Sequence, residues 1–311
     1  MTLSQLPRSH DLLGFTWRFA IVAGRLTPTN RLLLDAARRL GADARLVEPA
    51  DCERRLRKGD VALARLDVLP TLDGIEPGID ALRRLEDRGV DVLNPPVALL
   101  GAHDKLMTAL RLGARGIPHP RTTHFGEEEP GELDLPAVLK PRFGSWGRDV
   151  MLCRHRFALR RSLWLLRRRP WFARQGALAQ ELIPSHGRDL RLVVAGGTVV
   201  GAVERVARPG EWRTNIALGG ERLPLRPPPA ACELAVQAAE ALGGDLVGVD
   251  LLPDGYGGYV VLELNGAADF TDEYSLDGTN VFERAVDALT RYAREYEAPS
   301  EEAALAARVR A

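Results

Sequence analysis

The stretch that most constrains this chain runs from Gly248 to Gly266, GVDLLPDGYGGYVVLELNG. It reads as a β-hairpin: Val247 to Leu252 is an apolar strand, Pro253 to Gly258 carries turn chemistry, and Tyr259 to Leu264 is the returning strand. Two carboxylates, Asp250 and Glu263, interrupt the apolar strands, and Asn265 follows two residues after Glu263. Strands alternate faces with period two, so Glu263 and Asn265 share a face. Any register that sets Asp250 opposite Glu263 brings all three together. A buried, uncompensated carboxylate costs on the order of several kcal/mol, so the pair needs an open cleft or a cation. Oxygen donors without His or Cys point to a hard ion, Mg²⁺ before zinc. A hairpin with acidic residues at a solvated edge is the plainer alternative.

The remaining chemistry is sparse. With 311 residues the chain suits two or three domains. Its 42 basic residues balance 42 acidic ones, which gives no reason to expect nucleic acid or a membrane surface. Three separated cysteines, Cys52, Cys153 and Cys232, form neither a metal pair nor a disulfide framework, so a reducing cytoplasm is expected. No signal peptide or bilayer-spanning run is read. Only Lys58, Lys105 and Lys140 are lysines. Where arginine serves everywhere else, Lys105 opening a helix and Lys140 closing a strand before a glycine loop look selected for a compact ammonium, whereas Lys58 reads as surface charge. Six scattered histidines read as surface or core.

In chain order, strands at 17–23, 44–47, 60–64 and 90–93 alternate with helices at 30–40 and 77–88, which predicts a small parallel α/β domain ending near Pro96. GxGxxG and GxxxxGK[ST] are both absent, which argues against a dinucleotide dehydrogenase or a P-loop enzyme. A helix is expected from about His103 to Arg115, with Lys105 opposing the helix dipole in its first turn. Strands at 121–125, 137–140 and 150–154 follow, with an acidic loop at 126–135 and the glycine-bearing loop PRFGSWGRD at 141–149. Residues 154–174 hold eight arginines and are read as one helix that buries its aromatic and leucine side; the alternative is a docking face for an acidic partner. LAQELI (178–183) reads as a strand, 187–189 as a turn, and 190–195 with 198–205 as a hairpin through Gly196-Gly197. Helices are expected at 230–242 and 281–296, then a frayed tail at 298–311.

The order of DK helix, VLKP strand, FGSWGRD loop, QELI, GRDLR, WRTN, GVD and ELN resembles the ATP-grasp ligases. Within them it is similar to the ribosomal-protein glutamate ligases and the carrier-protein glutamate ligases of lysine biosynthesis, from roughly Asn94 to Leu289. The resemblance implies an α/β and α+β chain: a pre-ATP-grasp domain at 1–96, a central subdomain at 97–186 and a metal-bearing subdomain at 187–297, with the tail at 298–311. It also implies that Lys105 and Lys140 contact ATP phosphates while Gly144, Ser145, Trp146 and Gly147 close over them. Gln180, Glu181 and Leu182 would form the hinge against adenine, and Asp189 would take the ribose hydroxyls. Arg191, Arg213, Thr214 and Asn215 would lie near the transferred phosphate, with Arg191, Arg213 and Asn215 catalytic. Asp250, Glu263 and Asn265 would hold Mg²⁺, two ions being expected and Mn²⁺ an alternative.

The implied reaction is ADP-forming ligation of a carboxylate to an amine through an acyl phosphate, without a covalent enzyme intermediate. Loop closure would exclude water. A non-catalytic ATP-binding sensor or scaffold is the other class, but no phosphate lysine or metal carboxylate is missing. After Asn265 the chain reads NGAADFTDEYSLDGTN, where the ribosomal-protein branch has a serine-proline-glycine turn. The carrier-protein branch is the nearer match there, so Asp269, Phe270, Asp272 and Glu273 would line a substrate entrance. Glutamate or another small amino acid is the expected substrate, joined to an amine on a carrier protein, protein or metabolite. A homo-oligomer is also expected.

Overall fold

The computed structural model describes residues 17–126 and 133–297. The sequence's first residues, its acidic stretch at 127–132 and the expected frayed tail lie outside them.

A four-stranded parallel sheet opens the fold, with β1 (Arg18–Val22), β2 (Asp43–Val47), β3 (Val61–Ala64) and β4 (Asp91–Leu93) in the order β2-β1-β3-β4. Helix α1 (Pro28–Arg39) starts where Thr27 accepts a hydrogen bond from the Asn30 N–H and Pro28 presets the first turn. It buries Leu33, Leu34, Ala36 and Ala37, and each fully buried leucine is worth roughly 1.5–3 kcal/mol. Short α2 (Cys52–Arg55) and α3 (Ile79–Asp87) cover the same domain. At its end the Asn94 side chain is fully buried. Its Nδ2 donates to the carbonyls of Leu246 and Gly266, and its Oδ1 accepts from the N–H groups of Asp245 and Leu246.

The expected helix at 103–115 is corrected. Two helices occupy 96–114: α4 (Pro96–His103) and α5 (Lys105–Ala114), separated by Asp104. Pro95-Pro96 reads as a stop, yet Pro96 is the first residue of α4, where proline's missing N–H costs nothing. Asp104 caps α5 by accepting from the Leu106 and Met107 N–H groups, so an anion sits beside Lys105 and offsets the assumed dipole penalty.

The central module is an antiparallel sheet of β5 (Thr122–Phe125), β6 (Ala137–Pro141), β7 (Met151–Cys153) and β8 (Ala177–Glu181), ordered β5-β8-β6-β7. Period two sorts its faces. Leu139, Ala177 and Ala179 enter a core with Phe125, Leu163, Leu166, Trp171 and Phe172, which leaves Val138, Lys140 and Gln180 on the opposite side. The single helix read over 154–174 is a second correction, because Pro170 breaks it into α6 (Arg156–Leu166) and α7 (Pro170–Gln175). Its aromatics are not all buried: Phe157 is 74% and Trp164 55% exposed, and Leu163, Leu166, Trp171 and Phe172 do the packing.

Beyond it lies a five-stranded antiparallel sheet, ordered β11-β10-β9-β12-β13. Its strands are β9 (Arg188–Ala195), β10 (Thr198–Val206), β11 (Glu221–Pro224), β12 (Leu246–Pro253) and β13 (Tyr259–Asn265). The turn read at 187–189 is corrected, since Arg188 and Asp189 already belong to β9. Helix α8 (Pro229–Leu242) packs with Leu192, Val194, Val249 and Leu251 on one face. On the other, α9 (Val281–Glu297) joins Val193, Ala195 and Leu246 in a core shared with Phe19, Ile21 and Leu33 of the first domain. That second face is apolar at one end only. Toward the start of β9 and the end of β10 it turns ionic.

Candidate functional site

The ionic end of the large sheet and the outward face of the central sheet enclose a cavity of about 510 Å³. Pairing puts Asp250 of β12 opposite Glu263 of β13 and, on its other side, opposite Arg191 of β9. Arg205 of β10 faces Asp189 of β9. The hairpin register that the carboxylate reading required is therefore the register present.

These charges are tightly interlocked. Arg191 donates to both Asp250 oxygens, from Nε at 2.5 Å and Nη2 at 2.7 Å. Arg205 grips Asp189 in the same two-pronged way, at 2.7 and 2.6 Å, and its Nη2 also reaches Asp250 Oδ2 at 2.8 Å. Thr214 donates its hydroxyl to Asp189 at 2.6 Å. Burial would raise the Asp250 carboxyl, but Arg191 and Arg205 outweigh it and hold it well below the usual carboxylate range. Glu263 is likewise held below its ordinary value: burial opposes ionisation, and Lys105, 3.4 Å away, together with Lys140 overcomes it.

The facing wall carries the two lysines. Lys140 is 4% exposed, and its pKa is lowered from 10.5 to about 8, chiefly by burial. Lys105 Nζ donates to the Gly144 carbonyl at 2.6 Å and so ties the glycine-bearing loop to Glu263. That loop is built for close approach. Gly147 has φ +70°, and a Cβ there would lie 2.7 Å from Asn215 Oδ1. Trp146, at φ 59°, is 56% exposed. Arg213 reaches across to the loop, donating from Nη1 to the Gly147 carbonyl at 3.0 Å, while Glu211 holds the rest of its guanidinium. This contact keeps the Glu211 carboxyl at about 2.

The cavity wall includes Lys105, Lys140, Gly144, Ser145, Trp146 and Gly147 on the loop side. It also includes Gln180, Glu181, Leu182, Asp189, Arg213, Thr214, Asn215, Asp250 and Glu263. Arg191 and Asn265 are not on it. Arg191 backs Asp250, and Asn265 pairs with Gly248 at the end of β13, its buried Nδ2 without a hydrogen-bond partner. Within the hinge, the Glu181 and Leu182 N–H groups donate to the carbonyls of Arg121 and Pro136. Arg205, Glu211 and His186 also line the cavity and were missed. The strand parity of Arg205 with Val203 was readable, but its partner across the sheet was not.

An oxygen-only set of two carboxylates and an amide has the chemistry of a hard-cation site. A carboxylate offers about four lone-pair positions, and Asp250 spends three on arginine N–H groups. Among the described residues, no three His, Cys, Asp or Glu side chains form a metal cluster.

Comparison with known proteins follows the same lines. The family model of the RimK-like ATP-grasp domain matches residues 104–289. A probable alpha-L-glutamate ligase of Thioalkalivibrio sulfidiphilus (strain HL-EbGR7) is 30% identical over 285 residues, covering 86% of this chain and 92% of the relative. Beta-citrylglutamate synthase B of Danio rerio is 34% identical over 203 residues, 62% of this chain and 48% of the relative. The chain thus spans about half the length of the vertebrate relatives it matches. The crystal structure of a RimK domain protein ATP-grasp from Sphaerobacter thermophilus superposes with a TM-score of 0.64 at 26% identity, over 87% of this chain and 98% of that one. With the cavity between its two antiparallel sheets and a family match over most of its length, this chain belongs to the RimK-like ATP-grasp family.

Proposed function

We propose that the protein is an ATP-dependent, ADP-forming ligase that joins a carboxylate to an amine through an acyl phosphate. The observation that carries this reading is one cavity with two buried lysines, Lys105 and Lys140, facing the buried carboxylate of Asp250 and the half-buried one of Glu263. Such a site suits phosphoryl transfer, where positioning and charge compensation do most of the catalysis. Asp250 and Glu263, with Asn265 two residues further along β13, would hold Mg²⁺ or Mn²⁺. A bound divalent ion would supply charge neutralisation for the phosphoryl group.

The chain's own residues account for the rest. Lys105 and Lys140 offset phosphate charge from the loop side, and Arg205 does so from the sheet. A carboxylate oxygen takes the γ-phosphoryl group as ADP departs; the amine then attacks the acyl carbon, loses a proton, and phosphate leaves. Lys105 and Arg213 hold the 144–147 loop over the cavity, which keeps water from the acyl phosphate. Glutamate or another small amino acid is the proposed substrate, supported by the names of the relatives, and the acceptor amine lies on a carrier protein, protein or small metabolite. Three cysteines without disulfides suit a reducing compartment, and among the described residues no helix is long and apolar enough to cross a membrane.

The test is incubation of the purified protein with Mg-ATP and single amino acids, with and without host extract, reading ADP release and product mass. Amino-acid-dependent ADP release with a matching mass supports the ligase. ATP binding with no ADP release under any condition makes it a sensor.

A further inference from the structure

The exposed face of α6 has no role in the cavity chemistry. Between Asp149 and Glu181 the sequence holds eight arginines and not one acidic residue. Phe157 and Trp164 stand 74% and 55% exposed on this helix, while only Ser162, Leu163 and Leu166 are buried beneath it. Phe157, Arg161, Trp164 and Arg168 fall at helical spacing, so cations and aromatics share one face. The Arg168 guanidinium lies over the Trp164 ring, 3.4 Å from its centroid. Among the described residues, Arg160, Arg161 and Arg168 form no ion pair, whereas Arg169 and Arg174 pair with Asp149 and Asp73.

We propose that this face docks an acidic polypeptide segment, the acceptor-bearing partner of the ligase, with Arg160, Arg161 and Arg168 meeting its carboxylates and Phe157 and Trp164 its apolar side chains. Charge complementarity selects that occupant. The guanidinium forks of Arg160 and Arg161 can take carboxylates two-pronged, Arg168 adds its charge while its Nη1 donates to the Trp164 carbonyl, and exposed aromatics interleaved with them give contact area at small entropic cost. A membrane-surface helix segregates its apolar stripe from its cations, but here burying Trp164 in acyl chains would drag Arg168 with it. A single-strand nucleic acid reader needs a basic groove, and this is a convex helix in a chain of zero net charge. The face also adjoins the cavity, because Arg154, one turn before Phe157, lines it. The proposal rests on the ligase reading for the partner's role as acceptor.

The test is fluorescence anisotropy of a labelled oligoglutamate peptide on the full chain at low and moderate salt. Binding is expected to weaken with salt and to fall about tenfold or more in the Arg160→Glu/Arg161→Glu/Arg168→Glu variant and in Phe157→Ser/Trp164→Ser. ATP binding and ADP release on free amino acids stay at wild-type level, which also shows that the variants fold. Unchanged peptide affinity in the triple variant overturns the proposal. So does preferential binding of phosphatidylserine vesicles or oligothymidylate, or peptide binding that emerges only after Glu127, Glu128 and Glu129 are replaced by serine. Absence of ADP release in the wild-type protein breaks the ligase reading instead, and leaves the peptide result to stand by itself.

Discussion

The two walls of the cavity are made in opposite ways. On the large sheet, Asp189, Arg191, Arg205 and Asp250 sit on paired strands and fix one another through five hydrogen bonds, with a sixth donated to Asp189 by Thr214. On the central module the corresponding wall is a loop with left-handed residues at Trp146, Gly147 and Asp149, held from outside by Lys105 and Arg213. Rigid strands suit charges whose positions must not vary, and a strained loop suits a part that would open for a nucleotide. Stability and turnover should therefore separate between the walls.

The largest expected effect is on the sheet wall. Asp250→Asn leaves Arg191 and Arg205 facing a neutral amide, so unfolding free energy should drop by about 3–5 kcal/mol and ADP release should vanish. Glu263→Gln, whose ion pair is the looser one with Lys105, should lose turnover by about 10²–10³-fold with a much smaller stability change. Denaturant titration beside an ADP assay checks both, and equal destabilisation by the two variants would sink the contrast.

Next comes the loop. Gly147→Ala places a Cβ against Asn215 in a backbone region that alanine resists, so the closed loop becomes strained. Turnover should fall about tenfold while the melting temperature hardly moves. A matching loss of melting temperature would show the loop to be structural.

Lys140 links the walls through pH. Its folded-state pKa, about 8, lies below the ordinary 10.5, so the stability gained from a neutral buried amine is present above 10.5 and is lost as pH falls toward 8. Triphosphate favours the ammonium, so ATP affinity should be full below pH 8 and weaken by up to about tenfold per unit above it. Calorimetry in buffers of differing ionisation enthalpy should detect proton uptake on binding near that pH. Lys140→Arg should bind ATP more weakly and lose the pH step, because a planar fork cannot replace a point charge under the loop. The smallest effect is expected from Arg213→Lys, which shortens the reach to the Gly147 carbonyl and should raise the ATP KM a few-fold with kcat kept.

Much of this was legible in the sequence where a period of two decides. Asp250 and Glu263 follow from alternation along apolar strands, Lys140 from being one of three lysines in a chain that otherwise uses arginine, and a family resemblance read from eight short motifs in one order supplied the fold. Other features hide for physical reasons. Helix α4 is apolar on all sides and opens on a double proline, so neither periodicity nor breaker chemistry marks it. Arg205 stands among many arginines, and only long-range pairing with Asp189 reveals it. The bare aromatics of α6 look like core residues until Leu163 and Leu166 are seen to fill that place.

The buried side chain of Asn94 has a mechanical consequence. By closing hydrogen bonds on Asp245, Leu246 and Gly266, it rivets the first domain to the base of the β12–β13 hairpin, and the core shared by Phe19, Leu33 and Val193 welds the same seam. Those two parts thus make up one fixed jaw. The central sheet is the other jaw; its core takes in Val68 and Leu72 of the first domain and Gln175 donates to the Asp73 carbonyl, so any swing that would admit a nucleotide must pivot about that seam.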